Sequence, residues 1–69
     1  MMKLGEKIKE YRQEKNLTQS QLGKMIGVSQ KAIDYWERSV NEPKARYLLA
    51  LVQIFDISFD ELFENVTFE

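Results

Sequence analysis

Between Thr18 and Ser29 the chain carries two helix starts and one helix stop, which commit this stretch to two short helices across a tight turn, a generic motif until the faces of the second helix are read. Thr18 and Gln21 form a T-x-x-Q capping box, in which a hydroxyl and an amide satisfy backbone N–H groups that a helix leaves unpaired at its start. Gly27 suits the left-handed residue that closes such a helix. Ser29 is a good N-cap for the next one. The pattern predicts a second helix ending at Gly27, a turn of about three residues, and a third helix from Ser29 to about Glu37.

Periodicity extends this to five short helices and no sheet. Leu4, Ile8 and Tyr11 fall at i, i+4 and i+7 between charged neighbours, which predicts a first amphipathic helix over Lys3 to Lys15, ending near Asn16. Ser39 to Pro43 contains the one proline and reads as a loop. From Tyr47 to Phe55 only Gln53 is polar, so the fourth helix is expected to be apolar nearly all round and to act as the central strut of the core. Ser58 and Glu61 make another capping box, opening a last short helix with Leu62 and Phe63. Residues 1–69 then form a single all-α domain, a compact five-helix bundle with a helix-turn-helix at about 19–38 and a C-terminal tail at 65–69.

The inventory of reactive groups is narrow. With no cysteine there is no disulfide, no thiolate metal site and no cysteine nucleophile, and with no histidine the commonest general base and zinc ligand is missing too. A chain of this length buries only about 60% of its unfolded surface, so its apolar positions are committed to one core, with little left for a catalytic cleft. An enzyme is not expected, nor a cofactor, metal or small-molecule ligand. The N-terminus has no signal-peptide-like apolar stretch, and no apolar run is long enough to span a bilayer. A cytoplasmic protein is expected.

The net charge of −1 conceals an asymmetry. Residues 1–55 hold all ten Lys and Arg against six acids, a net +4, whereas residues 56–69 hold five acids and no base, a net −5. A basic body with an acidic end suits a molecule that offers one face to phosphates, although ordinary surface charge gives the same count.

The third helix divides by face. At about 100° per residue, Gln30, Lys31, Asp34, Tyr35 and Arg38 lie within one arc of about 140°. Ala32, Ile33 and Trp36 occupy the rest, with Glu37 at its edge. One side is expected to pack inward and the other to remain free for a groove. A helix divided in this way and docked by a preceding helix has the geometry that enters the DNA major groove.

Leu17-Thr18-Gln19, Leu22-Gly23, Ile26-Gly27-Val28-Ser29 and Ile33, followed by Trp36-Glu37-Arg38, make the chain similar to the lambda and 434 repressor/Cro-type (XRE-like) helix-turn-helix family. The likeness runs from roughly Leu4 to Leu62, through Pro43 and on to Ile57-Ser58-Phe59-Asp60-Glu61-Leu62. It implies a lambda-repressor-like bundle whose third helix reads DNA. It also implies a sequence-specific regulator of transcription, a repressor, acting on double-stranded DNA. By position, Gln19 and Gln30 contact DNA. The amide of Gln30 suits an adenine edge, Lys31 can donate to guanine or phosphate, and Gln19 with the backbone N–H groups beside it would hold a phosphate. Lys44, just after Pro43, would add a phosphate contact. Arg12 and Glu37 resemble a family ion pair tying the first helix to the third, and Gly23 is expected where the second and third helices come closest.

The chain departs from the family pattern at Asp34 and Tyr35, often a hydroxyl residue and a basic or polar one, at Ser39, often Gly, and at Glu42, where basic residues are common. Asp34 either accepts from a cytosine amine or pairs with Arg38 at i+4 and holds it toward phosphate. Tyr35 either meets a thymine methyl and a phosphate or is a half-buried surface aromatic. One recognition helix spans few base pairs, so a homodimer on a palindromic operator is expected, joined through Phe59, Phe63, Val66 and Phe68, unless Phe59 and Phe63 simply cap the monomer's core. Asp34 and Glu42 keep a rival open: a protein-binding helix-turn-helix, antitoxin-like or an anti-repressor partner, whose DNA face has drifted.

Overall fold

The computed structural model describes residues 2–68, so Glu69, the last residue of the acidic tail, lies outside it, as does Met1. Five helices follow in order: α1 Leu4–Glu14, α2 Gln19–Ile26, α3 Gln30–Glu37, α4 Ala45–Phe55 and α5 Phe59–Phe63. Among the described residues there is no helix long and apolar enough to cross a membrane.

The helix ends fall where side-chain chemistry places them. Thr18 Oγ1 accepts from Gln21 N at 3.0 Å while Thr18 N donates to Gln21 Oε1 at 2.8 Å, and Ser58 and Glu61 repeat the exchange at the start of α5. Ser29 Oγ accepts from Ala32 N at 3.1 Å. Gly27 closes α2 with φ +91°, a conformation in which any Cβ is strained. α1 is one residue shorter at each end than its charge pattern implies, and α4 starts two residues before its apolar run because Ala45 and Arg46 continue the helix into solvent.

Leu4, Ile8, Leu22, Ile33, Trp36, Leu51, Val52, Phe55 and Leu62 form one buried core, drawn from all five helices. Two ring contacts finish it, Tyr11 on Phe55 and Trp36 on Tyr47, both with centroids 5.6 Å apart. α4 gives the core Leu51, Val52 and Phe55, more than any other helix, in keeping with the central role expected of it, and α1 packs against α3, α4 and α5. α4 turns Leu49 (48% exposed) and Gln53 outward. So short a chain lacks the material to cover a helix on every side, and an apolar residue on the open face remains in water.

Of the glycines, Gly5 has the closest neighbour. A Cβ there would lie 2.1 Å from the Trp36 carbonyl oxygen, so α1 rests directly on the last turn of α3. At Gly23 a Cβ would lie 2.7 Å from the Val28 oxygen, which makes the close neighbour the turn backbone rather than the body of α3. The tail is pinned: Met2 N donates to Asn65 O at 3.0 Å and Thr67 N donates to Met2 O at 2.9 Å.

Candidate nucleic-acid interface

α2 and α3 are docked by Leu22 and Ile33, both fully buried, and by the turn in which Gly27 N and Val28 N both donate to Gly23 O, at 2.8 and 2.9 Å. That docking fixes which face of α3 points out. Gln30, Lys31 and Arg38 are exposed and Asp34 and Tyr35 half-exposed, while Ile33, Trp36 and Glu37 are buried. The division expected from helical geometry is present, with Glu37 moved from the edge of the inner face fully into it.

A continuous polar network runs through this face. Arg12 Nε donates to Glu37 Oε2 at 2.6 Å and Arg12 Nη2 to Glu37 Oε1 at 3.0 Å, while Arg12 Nη1 donates to the Leu17 carbonyl at 2.8 Å. With side chains 11% and 3% exposed, the pair is a scaffold between α1 and α3, and each guanidinium nitrogen of Arg12 is already occupied. Gln19 Nε2 then bridges two carboxylates, donating to Glu37 Oε1 at 3.0 Å and to Asp34 Oδ1 at 3.3 Å. Arg38 Nε donates to Asp34 Oδ2 at 2.9 Å. The guanidinium of Arg38 also sits 5.5 Å from the Tyr35 ring centroid, with Lys31 Nζ at 5.7 Å from the same ring. The hydrogen bond from Gln19, followed by the hydrogen bond and charge of Arg38 and the charge of Lys9, holds the Asp34 carboxyl below its ordinary value of 3.8 against the opposing effect of desolvation.

Six of the seven residues singled out from the sequence, Gln19, Gln30, Lys31, Asp34, Tyr35 and Arg38, therefore share the α2–α3 surface. Lys44 stands apart as the N-cap of α4, exposed. Arg46 was not among them and lies in the first turn of that same helix, exposed, its guanidinium 6.0 Å from the Tyr47 ring. Its signal was available in the second base after Pro43. Two cations beside the free N–H groups of a helix start make a site of positive potential.

At the acidic end the aromatics divide. Phe63 and Val66 pack on the core, with Phe63 also against Phe68 at 5.9 Å, whereas Phe59 (45%) and Phe68 (59%) remain exposed.

A family model described as "Helix-turn-helix" matches residues 8–62. The repressor protein C2 of Salmonella phage P22 is 44% identical over 62 residues, covering 90% of this chain and 29% of that protein. The HTH-type transcriptional activator BcrR of Enterococcus faecalis is 38% identical over 61 residues, 88% of this chain and 30% of that one. The chain thus spans about three tenths of the length of these curated relatives. The crystal structure of the P22 c2 repressor in complex with a synthetic operator superposes with a TM-score of 0.85 at 42% identity, covering 93% of this chain and 97% of that one.

Proposed function

The chain belongs to the helix-turn-helix family, and from that premise we propose that it is a sequence-specific, double-stranded DNA-binding regulator of transcription, a repressor, that reads the major groove with α3. The observation that carries the reading is the outward face of α3, which sets Gln30, Lys31, Tyr35 and Arg38 beside the start of α2 with no apolar cluster among them. Gln30 suits an adenine edge, and Lys31 a guanine or a phosphate. Tyr35 offers its ring to a thymine methyl and its hydroxyl to a phosphate. Lys44 and Arg46 at the start of α4 bind the backbone on the far side of α3 and set register. Residues 1–69 act as one DNA-binding domain in the cytoplasm.

One α3 covers too few base pairs for a genomic address. Two copies on a palindromic operator, with half-sites about 34 to 36 Å apart, resolve this. The exposed Phe59 and Phe68 lie on the acidic end, where a symmetric contact keeps like charge away from the phosphates.

Titration with random duplex at low salt tests the function, followed by selection of bound sequences from a random pool. Weak binding to any duplex that falls steeply with salt, and a palindromic consensus from the selection, are expected. No binding at low salt would favour the protein-binding module instead. Phe59→Glu is expected to weaken binding to the palindrome more than to a single half-site.

A further inference from the structure

The network across α2 and α3 leaves Gln19 with an unusual face toward solvent. Both N–H groups of its amide are engaged, one on Glu37 Oε1 and one on Asp34 Oδ1. The reverse orientation would set the amide oxygen against two carboxylates, so the chemistry of the neighbours dictates which end points out. Oε1 accepts from no protein donor among the described residues, and no unpartnered side-chain oxygen or nitrogen among them is buried, so Oε1 reaches solvent. Gln19 is thus an acceptor-only group at the surface. It offers nothing to a phosphate, itself an acceptor; the backbone N–H groups of Gln19 and Ser20, which hold no protein acceptor among the described residues, are what the start of α2 offers there.

Asp34 orients Arg38 in the same way. Its Oδ2 takes the Nε hydrogen, and the guanidinium carbon lies 5.5 Å from the Tyr35 ring centroid, which leaves both Nη amines of this exposed side chain with no protein acceptor among the described residues, a fork of donors. Asp34 therefore shares with Glu37 in setting the acceptor on α2 and is the carboxylate that sets the donors on α3.

Resting on the DNA-binding reading above, we infer that Asp34 is a positioning residue for sequence recognition: it contacts no base itself but joins Glu37 in fixing Gln19 as an acceptor and by itself sets Arg38 as a donor pair. The partners that match are a base amine for Gln19 Oε1, since adenine N6 and cytosine N4 are the donors on the major-groove edges, and guanine O6 and N7 or a phosphate for Arg38. Direct readout by Asp34 and a purely electrostatic role for it are the competing accounts.

The experiment has an arm without DNA and an arm with it. In the free protein, the two side-chain amide protons of Gln19 are expected at distinct, exchange-protected NMR positions; in Asp34→Ala the proton that faced Asp34 is expected to lose its protection while the one on Glu37 keeps it, and the melting temperature confirms the fold. Unchanged amide signals in Asp34→Ala would overturn the inference whatever the DNA does. In the second arm, affinity for the selected operator is divided by affinity for random duplex in wild type, Gln19→Ala, Asp34→Ala and the double variant. Each single change is expected to lower that ratio about tenfold, within the range of one well-placed base contact, with the double variant no worse than the poorer single. Asp34→Asn, which retains one acceptor oxygen, is expected to lose less. Additive losses would overturn the inference in favour of direct readout, and an unchanged ratio with tighter binding to both duplexes would reduce Asp34 to its charge. A wild type that binds no duplex would remove the DNA-binding reading and the recognition role with it.

Discussion

Arg12 of α1 and Glu37 of α3, 25 residues apart, meet in two hydrogen bonds of 2.6 and 3.0 Å between the two helices. Both are nearly withdrawn from water, so the attraction and the desolvation of the pair largely offset each other, and a lone survivor is the costly state. Arg12→Ala is expected to destabilise by about 3 to 5 kcal/mol. Arg12→Met with Glu37→Leu is expected to recover much of that, and a double-mutant cycle on urea unfolding to give an interaction above about 0.5 kcal/mol. An additive cycle would mean that the pair carries no coupling.

Two backbone positions pull in opposite directions. Gly5→Ala drives a methyl into the Trp36 carbonyl, where no flexible side chain can yield, and a loss of at least about 1 to 3 kcal/mol is expected. Ser39 sits at φ +61°, in the left-handed region, which accounts for the glycine common there in the family pattern. Ser39→Gly is expected to gain about 0.5 to 1 kcal/mol, since relief of strain exceeds the added freedom of the unfolded chain. Thermal melts of both variants check the signs.

On α3, stability and recognition separate by face. Trp36→Ala empties the contact with Tyr47 and is expected to cost about 3 to 5 kcal/mol, enough to unfold much of a small domain. Gln30→Ala and Lys31→Ala are expected to leave the melting temperature near wild type and to weaken operator binding by about 1 to 3 kcal/mol. A folded Trp36→Ala beside an unfolded Gln30→Ala would reverse the assignment of faces.

Stability is expected to fall at both ends of the pH scale for separate reasons. The folded-state pKa of Asp34 lies below 3.8, so its contribution is present above about that pH and is lost as pH drops through the folded value. The Tyr11 hydroxyl is pushed above 10.0, first by burial and then by Glu61 and other acids. Its contribution is present below pH 10.0 and is lost as pH rises through the raised value. Tyr11→Phe should flatten the alkaline limb of a stability profile, and Asp34→Asn the acid limb.

The helix order, the capping boxes and the two faces of α3 were legible in the sequence because each depends on residues within one turn of one another. Thr18 with Gln21 and Ser29 with Ala32 are such cases. What the sequence left open depends on which residues meet across helices. Asp34 had two readings, and the hydrogen bond to Arg38 favours the second, but its bond to Gln19 joins residues fifteen apart and has no local signature. Gly5 passed without notice for the same reason, since its neighbour is the carbonyl of Trp36. That α4 leaves Leu49 in water was not legible either, since a count of apolar residues does not say how many sides of a helix a short chain can cover.

The pairing of Met2 with Asn65 and Thr67 brings the two ends of the described chain side by side, nearly closing it into a ring. Anything attached before Met2 or after Phe68 would therefore leave from a single point on the surface. A pull separating the two attachments would be borne first by these two hydrogen bonds and then by α5 behind Asn65 and by α1 behind Met2, the helix whose Arg12 anchors α3. By this arrangement, tension at the ends and the posture of the recognition helix would be mechanically linked through one element.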